Sequence, residues 1–124
     1  MRDHLLLRTD TAMNEEWQRE ARQRRLIDGA LSGYRAGKTG LQRLISDLEA
    51  LTLELVLVSN EWRDQFQALV NDLEATYSVA LYRGVVGSLP PDFQADVDDT
   101  VEHLIVMMEA LGDGPSSASD ADEL

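Results

Sequence analysis

Apolar side chains recur every three or four positions through most of this chain, which is the spacing of one face of an α-helix. The most regular stripe lies in the middle of the chain and consists of Leu41, Leu44, Ile45, Leu48, Leu51 and Leu55. Thr39 is the predicted N-cap of that helix, because a threonine hydroxyl accepts a hydrogen bond from an amide of the first turn. No segment has the alternating β-branched pattern of a strand, so the sequence predicts an all-α fold.

Two more helices with the same periodicity are predicted after this one. The third helix begins at a cap formed by Ser59 or Asn60 and ends near Gly84. Its stripe is Trp62, Phe66, Leu69, Val70, Leu73, Tyr77, Ala80 and Leu81. The fourth helix begins at the Pro90-Pro91 pair, since proline is tolerated in a first turn, and Gly112 is predicted to end it. Its stripe is Phe93, Val97, Val101, Leu104, Ile105, Met108 and Leu111.

The first helix is predicted over residues 14–34, where apolar residues at helical spacing flank a cluster of arginines. Gly37 is the predicted stop signal after it. Four helices joined by short turns predict an antiparallel four-helix bundle, which occupies residues 13–112. Residues 1–12 are expected to form a flexible N-terminal segment. Residues 113–124 are small, polar and acidic, and we expect them to form a disordered tail.

The stretch from Leu51 to Val58 contains more apolar residues than one narrow helical stripe needs. We expect this stretch to be deeply buried in the bundle. The alternative is that it contacts a partner or a second copy of the chain. The two hypotheses differ in whether its aliphatic side chains are exposed.

Length and composition limit the class of protein. A chain of 124 residues fits one domain with one core. It contains no cysteine, which excludes disulfides and thiolate metal sites and fits a reducing compartment. No apolar stretch approaches the roughly 18 residues of a membrane span, and the run from Leu5 to Leu7 is too short for a signal peptide. We therefore expect a cytoplasmic protein with no membrane partner.

Charge is distributed unevenly along the chain. Residues 1–43 contain nine basic and six acidic residues and carry net +3, whereas residues 44–124 contain two basic and 17 acidic residues and carry net −15. A largely acidic surface repels nucleic acid and anionic lipid, and it attracts basic protein surfaces. The expected partner is therefore a basic protein and not a nucleic acid. The arginines expected to neutralise acidic residues on neighbouring helices are Arg19, Arg22, Arg24 and Arg25.

Acidic residues on the last two predicted helices form the candidate interface. Like charges three or four positions apart destabilise a helix by about 0.2–0.5 kcal/mol per pair. Such crowding is best tolerated where a basic partner neutralises it, although a solvated acidic face is the alternative. The predicted partner-binding residues are Asp92, Asp96, Asp98, Asp99 and Glu102 on the fourth helix, Glu61, Asp64 and Asp72 on the third helix, and Tyr82 as an aromatic anchor.

No catalytic or metal site is predicted, and no cofactor is expected. The segment from Gly33 to Thr39 ends in Gly-Lys-Thr like a phosphate-binding loop, but its first glycine is one position too close to the second, and a helix precedes it where a strand is required. A helix-to-helix turn is the favoured interpretation. His103 follows Asp99 by one helical turn, which suits a pair of metal ligands, but its sequence neighbourhood has no second histidine.

Two segments carry a family resemblance. Residues 34–51 have the sequence Tyr-Arg-Ala-Gly-Lys-Thr-Gly-Leu-Gln-Arg-Leu-Ile-Ser-Asp-Leu-Glu-Ala-Leu, and residues 61–81 begin with Glu-Trp-Arg-Asp-Gln-Phe and end with Leu-Glu-Ala-Thr-Tyr-Ser-Val-Ala-Leu. Over residues 30–85 the chain resembles small helical bacterial immunity proteins of polymorphic and contact-dependent toxin systems. The resemblance implies a cytoplasmic protein without enzyme activity, which binds a cognate toxin tightly and blocks its active site or substrate groove. Its main positions are Gly37, Leu41, Asp47, Leu48, Glu49, Glu61 and Trp62.

The sequence therefore predicts an immunity or inhibitor protein that neutralises a basic toxin domain acting on nucleic acid. The charge pattern agrees, since an acidic domain can occupy the basic groove in which such a toxin holds phosphates. The alternative is a homo-oligomeric helical adaptor without a toxin partner, whose acidic surface keeps it soluble. A metal-dependent enzyme built around His103 is a third, less favoured hypothesis. The expected oligomeric state is a monomer or a weak homodimer.

Overall fold

The computed structural model describes the backbone of residues 2–111 and the side chains of residues 15–111. This range forms four helices and no strand, and the helices are α1 (Arg2–Arg35), α2 (Leu41–Leu53), α3 (Asn60–Tyr82) and α4 (Pro91–Ala110). Each helix packs against the next, and α1 also packs against α4, so the four helices enclose one core. The predicted all-α four-helix bundle is confirmed. The predicted stop at Gly112 and the predicted tail, residues 113–124, lie outside the described residues.

The core consists of the apolar stripes that the periodicity predicted. Its side chains that are at most 1 % exposed are Ile27, Leu31, Leu44, Leu48, Leu55, Phe66, Val70, Leu73, Ala80, Val97, Val101 and Leu104. Burial of one large apolar side chain contributes about 1.5–3 kcal/mol, so this layer is the main source of stability. At one end of the core, the Trp62 ring stacks on Phe66 at 4.8 Å, and its Nε1 donates to the Met107 carbonyl at 3.1 Å. This contact fixes the start of α3 against the end of α4.

Most helix boundaries follow the predicted capping signals. The Ser59 hydroxyl caps α3 by accepting a hydrogen bond from the Trp62 amide at 3.0 Å. Gly37 and Gly84 follow the ends of α1 and α3 with φ angles of 76° and 72°, the left-handed conformation that favours glycine. The predicted cap at Thr39 is wrong, because the N-cap of α2 is Gly40 and no side chain caps it.

The start of α1 differs most from its prediction. The helix begins at Arg2 instead of Asn14, and its 34 residues span about 50 Å at 1.5 Å per residue. The predicted flexible segment, residues 1–12, therefore coincides with helical backbone from Arg2 onward. The residues before Asn14 show no apolar stripe of helical period, and such a stripe is what periodicity detects.

A buried glutamate ties the connection between α2 and α3, residues 54–59, to α1. The Glu20 side chain is 1 % exposed. Its Oε1 accepts a hydrogen bond from the Val56 amide at 2.9 Å, and its Oε2 accepts one from the Leu57 amide at 3.0 Å. A carboxylate that accepts two amide hydrogen bonds forms a strong, charge-assisted contact, so Glu20 fixes the course of the connection.

An arginine on α3 ties the same connection from the other side. The Arg63 guanidinium donates to the carbonyl of Thr52 at 3.0 Å and to the carbonyl of Leu55. The Leu55 side chain is fully buried, but three neighbouring side chains are not. The expected deep burial of the stretch from Leu51 to Val58 is therefore wrong. Its exposed side chains are Leu53 (77 %), Val56 (60 %) and Leu57 (38 %).

Candidate acidic interface

All nine residues of the predicted interface are exposed. The periodicity explains this result, because α3 and α4 turn their apolar stripes inward and the acidic positions between those stripes face outward. Tyr82 is the most exposed large apolar or aromatic side chain among the described residues, at 93 %. Exposure makes these residues available to a partner, and their grouping depends on how the helices pack.

Three of the acidic residues line one groove between α3 and α4. Asp72 lies on the α3 side, and Asp96 and Asp99 lie one turn apart on the α4 side. The groove has a volume of about 530 Å³, and its other lining residues are Leu69, Ala75, Thr76, Thr100 and His103. We call this the α3/α4 groove. None of its three carboxylates forms an ion pair with any basic residue in the described part of the chain.

Two other acidic residues of α4 lie on the opposite edge of the helix, towards α1. Glu102 Oε1 pairs with Arg35 Nη1 at 3.1 Å, so its charge is partly neutralised. Asp98 Oδ1 accepts a hydrogen bond from Gln94 Nε2 at 2.9 Å. Asp98, Glu102 and Arg35 line a second groove between α1 and α4. The acidic cluster predicted on α4 is thus divided between two sides of the helix.

The remaining candidates lie at the two ends of the bundle. Glu61 and Asp64 are in the first two turns of α3, beside the end of α4. Tyr82 ends α3 at the opposite end, about 30 Å away at 1.5 Å per residue. Asp92 lies in the first turn of α4 at that same end. One compact partner surface cannot easily contact all nine residues at once. It can contact the α3/α4 groove together with the candidates at one end of the bundle.

A pair of glutamates that was not predicted lies on the other side of α3. Glu49 on α2 and Glu74 on α3 share a groove with Gln42, Ser46 and Tyr77. A hydrogen bond to Glu74, partial burial and the negative charge of Glu74 together raise the pKa of Glu49. The repeated Asp-Leu-Glu-Ala sequence at residues 47–50 and 72–75 was the available signal, since each glutamate is third in its copy.

A second acidic pair lies between α1 and α4. Burial, followed by the negative charge of Glu109, raises the pKa of Asp28. The bundle thus holds two carboxylates close together at two of its helix pairs, α2 with α3 and α1 with α4. Such pairs favour protonation and weaken the bundle when both groups are charged.

The arginine cluster of α1 behaves differently from its prediction. Arg24 pairs with Glu20 of the same helix at 3.7 Å, and its guanidinium lies over the Trp17 ring at 4.8 Å. Burial lowers the pKa of Arg24 despite this carboxylate. Within the described side chains, Arg19, Arg22 and Arg25 form no ion pair. None of the four arginines pairs there with a neighbouring helix, so the prediction is wrong.

The Gly-Lys-Thr segment is a turn between two helices, as predicted. The Lys38 amide donates to the Gly33 carbonyl at 2.9 Å, and Gly37 supplies the positive φ.

His103 is exposed on the rim of the α3/α4 groove. Over residues with described side chains, no group of three or more histidine, aspartate or glutamate residues is arranged to hold a metal ion. None of the described helices combines the length and apolar character needed to cross a bilayer.

Comparison of the chain with protein-family models, with curated proteins and with solved structures finds no match. The resemblance to immunity proteins therefore stays a hypothesis that depends on the residues quoted for it. The geometry of the acidic surface provides a separate basis for a functional proposal.

Proposed function

We propose that this protein is an immunity or inhibitor protein that binds and neutralises a basic toxin domain acting on nucleic acid, in the cytoplasm and without enzyme activity of its own. The α3/α4 groove is the proposed centre of the interface. The observation that supports it is the set of three exposed carboxylates, Asp72, Asp96 and Asp99, with no basic partner in the described chain. A basic partner surface would neutralise them.

The charge of the whole surface supports the same partner class. Residues 44–124 carry net −15, so a basic domain is attracted from a distance and associates fast at low salt. A toxin that acts on nucleic acid holds phosphates with basic side chains. The acidic groove would compete for those side chains and exclude the substrate.

Charge at the rim of an interface changes association more than dissociation, so tight inhibition also needs apolar anchors. Tyr82 offers an exposed aromatic ring at one end of α3. Val79, 48 % exposed, lies one helical turn before it. We propose these side chains as the anchors that slow dissociation.

Capture of the partner from the source organism with three matched baits tests the proposal. The baits are the native protein, the double variant D96K/D99K and the double variant E49K/E74K. Both variants raise the net charge by four, but only the first changes the α3/α4 groove. We expect a basic protein that is retained by the native bait and by E49K/E74K and is lost by D96K/D99K.

Two results would count against this assignment. Equal loss with both variants would mean that net charge, and not the groove, determines capture. Equal retention by both would place the interface elsewhere. Circular dichroism of each bait checks that the helix content is unchanged, and inhibition of the captured protein's nuclease activity tests the inhibitor role.

A homo-oligomeric adaptor is the second candidate, and exposed aliphatic side chains at the end of α2 and in the α2–α3 connection favour it. Leu53 and Leu57 project from a segment whose backbone is held by Glu20 and Arg63. A second copy of the chain would cover them. Sedimentation velocity of the native protein and of L53S/L57S tests this function, with V79S/L81S as the control. Concentration-dependent mass that only L53S/L57S abolishes supports the adaptor, and a monomer at all concentrations rejects it.

A further inference from the structure

Three arginines of α1 form a cationic row that the proposed toxin interface does not use. Arg19, Arg22 and Arg25 follow one another at three-residue spacing, so their side chains lie along one ridge of the helix. None of the three is buried, and none is ion-paired within residues 15–111. In a chain of net charge −12, such a row attracts acidic segments.

One ion pair and one charge interaction between α1 and α4 show where α4 ends relative to this row. Arg35 pairs with Glu102 at 3.1 Å. Burial raises the pKa of Asp28, seven residues before Arg35, and the charge of Glu109, seven residues after Glu102, raises it by a smaller amount. The two helices are therefore antiparallel, and each step back along α1 corresponds to one step forward along α4. By the same alignment the last described residue, Leu111, lies at the level of residue 26, one position from Arg25.

The sequence that follows α4 is acidic and contains no basic residue. Its charged residues are Asp113, Asp120, Asp122 and Glu123. The end of α4 repels them, because a helix C-terminus carries partial negative charge and the last turn of α4 contains no basic residue. The carboxylates of Asp28 and Glu109 add to this repulsion. The arginine row, which is not ion-paired within residues 15–111, lies on a helix that packs against α4.

The acidic segment that follows α4 is long enough to reach the arginine row. Twelve extended residues reach about 40 Å, whereas the row from Arg25 to Arg19 is about 9 Å long on the helix. A short tether gives an effective concentration in the millimolar range, which is enough for several weak ion pairs to form together. Because α1 and α4 are antiparallel, the chain leaves α4 in the direction that runs from Arg25 to Arg19 along α1. The segment can therefore reach the row without turning back.

We propose that residues 113–124 dock on the arginine row of α1 in the same chain. The docked segment covers the cationic side chains and keeps nucleic acid and other polyanions away from α1. The contact is electrostatic, so it is weakened by salt that shortens the screening length to about 3 Å near 1 M. It is independent of the proposed toxin interface, which lies between α3 and α4.

Paramagnetic relaxation enhancement tests this docking in the full chain. The chain has no cysteine, so the single variant S119C accepts one nitroxide label. We expect the amide signals of residues 19–25 to lose about half their intensity or more at low salt and to recover near 1 M salt. The matched control carries the same label with the four acidic residues neutralised (D113N/D120N/D122N/E123Q), and we expect clearly weaker broadening there, limited to what a tethered but undocked label causes. The same recovery is expected in R19Q/R22Q/R25Q.

Three results would overturn the proposal. The first is equal broadening in the native and the neutralised segments. The second is broadening confined to helices other than α1. The third is broadening in a mixture of spin-labelled protein and ¹⁵N protein without the label, which would assign the contact to a second copy. Circular dichroism verifies that the arginine variant keeps its helix content, and the neutralised segment tests the contact without altering α1.

Discussion

The buried charge of Glu20 is explained by its contacts. Each carboxylate oxygen accepts a hydrogen bond from an amide of the α2–α3 connection, and Arg24 lies 3.7 Å away. A buried carboxylate in this arrangement is stabilising only while its partners are present, because any group left unpaired keeps its desolvation cost. Glu20 therefore joins α1 to backbone 36 residues later in the chain.

Replacing Glu20 with glutamine should destabilise the fold by about 1.5–3 kcal/mol. The amide group of glutamine offers one acceptor oxygen, and its NH₂ would face an amide donor of Val56 or Leu57. Urea unfolding followed by circular dichroism measures the change. Glu16→Gln is the control, because Glu16 lies one turn earlier and is exposed. Equal unfolding midpoints for the two variants would contradict the structural role of Glu20.

The pair of Glu49 and Glu74 predicts a pH dependence of stability. The pKa of Glu49 is raised in the folded protein by a hydrogen bond to Glu74, by partial burial and by the charge of Glu74. The folded state therefore binds the proton more tightly than the unfolded state. The resulting stability is fully present below the ordinary pKa of 4.5 and is lost as the pH rises through the raised value.

Replacing Glu49 with glutamine removes this titration and the repulsion at neutral pH. We expect Glu49→Gln to stabilise the protein at pH 7 by a few tenths of a kcal/mol, the size of an interaction between exposed charges. Its stability should also vary less with pH just above 4.5 than that of the native protein. Urea midpoints at several pH values measure both effects. The exposed Glu54→Gln variant is the control, and a pH profile unchanged from native in Glu49→Gln would refute the expectation.

At the scale of helices, Gly84 shows which glycine the fold requires. It follows α3 with φ of 72°, whereas Gly87 in the same connection has no positive φ, and a Cβ atom would meet no neighbour within 4 Å at either position. We expect Gly84→Ala to cost about 1–2 kcal/mol, because a left-handed conformation strains any residue with a Cβ atom. Gly87→Ala should change stability little. Thermal unfolding compares them, and equal losses would show that the positive φ does not determine the cost.

Apolar periodicity predicted the four helices and their core because residues such as Leu44, Leu48 and Phe66 repeat with the helical period. It missed the start of α1, where no apolar stripe of that period marks the helix. It also missed Glu20, because the burial of a carboxylate depended on amides far along the chain. Exposure of the acidic candidates followed from the same periodicity. The division of those on α4 between two grooves depended on which helices pack together, and the sequence does not encode that order locally.

At the scale of the molecule, charge is separated between one helix and the rest of the bundle. The arginine row lies on α1, whereas the unpaired carboxylates of the α3/α4 groove lie between the other two long helices. A basic surface would be attracted to the groove side of the molecule more than to α1. The α3/α4 groove is therefore where electrostatic attraction and accessible carboxylates coincide.

The association rate constant of the captured basic partner, measured by stopped flow as a function of salt, tests the central role of the α3/α4 groove most directly. For the native protein and E49K/E74K we expect fast association that slows steeply with salt. For D96K/D99K we expect association at low salt to be slower by about tenfold or more, with a flatter salt dependence. Identical rate constants and salt dependence for the two double variants would contradict the account, because they would show that only net charge matters.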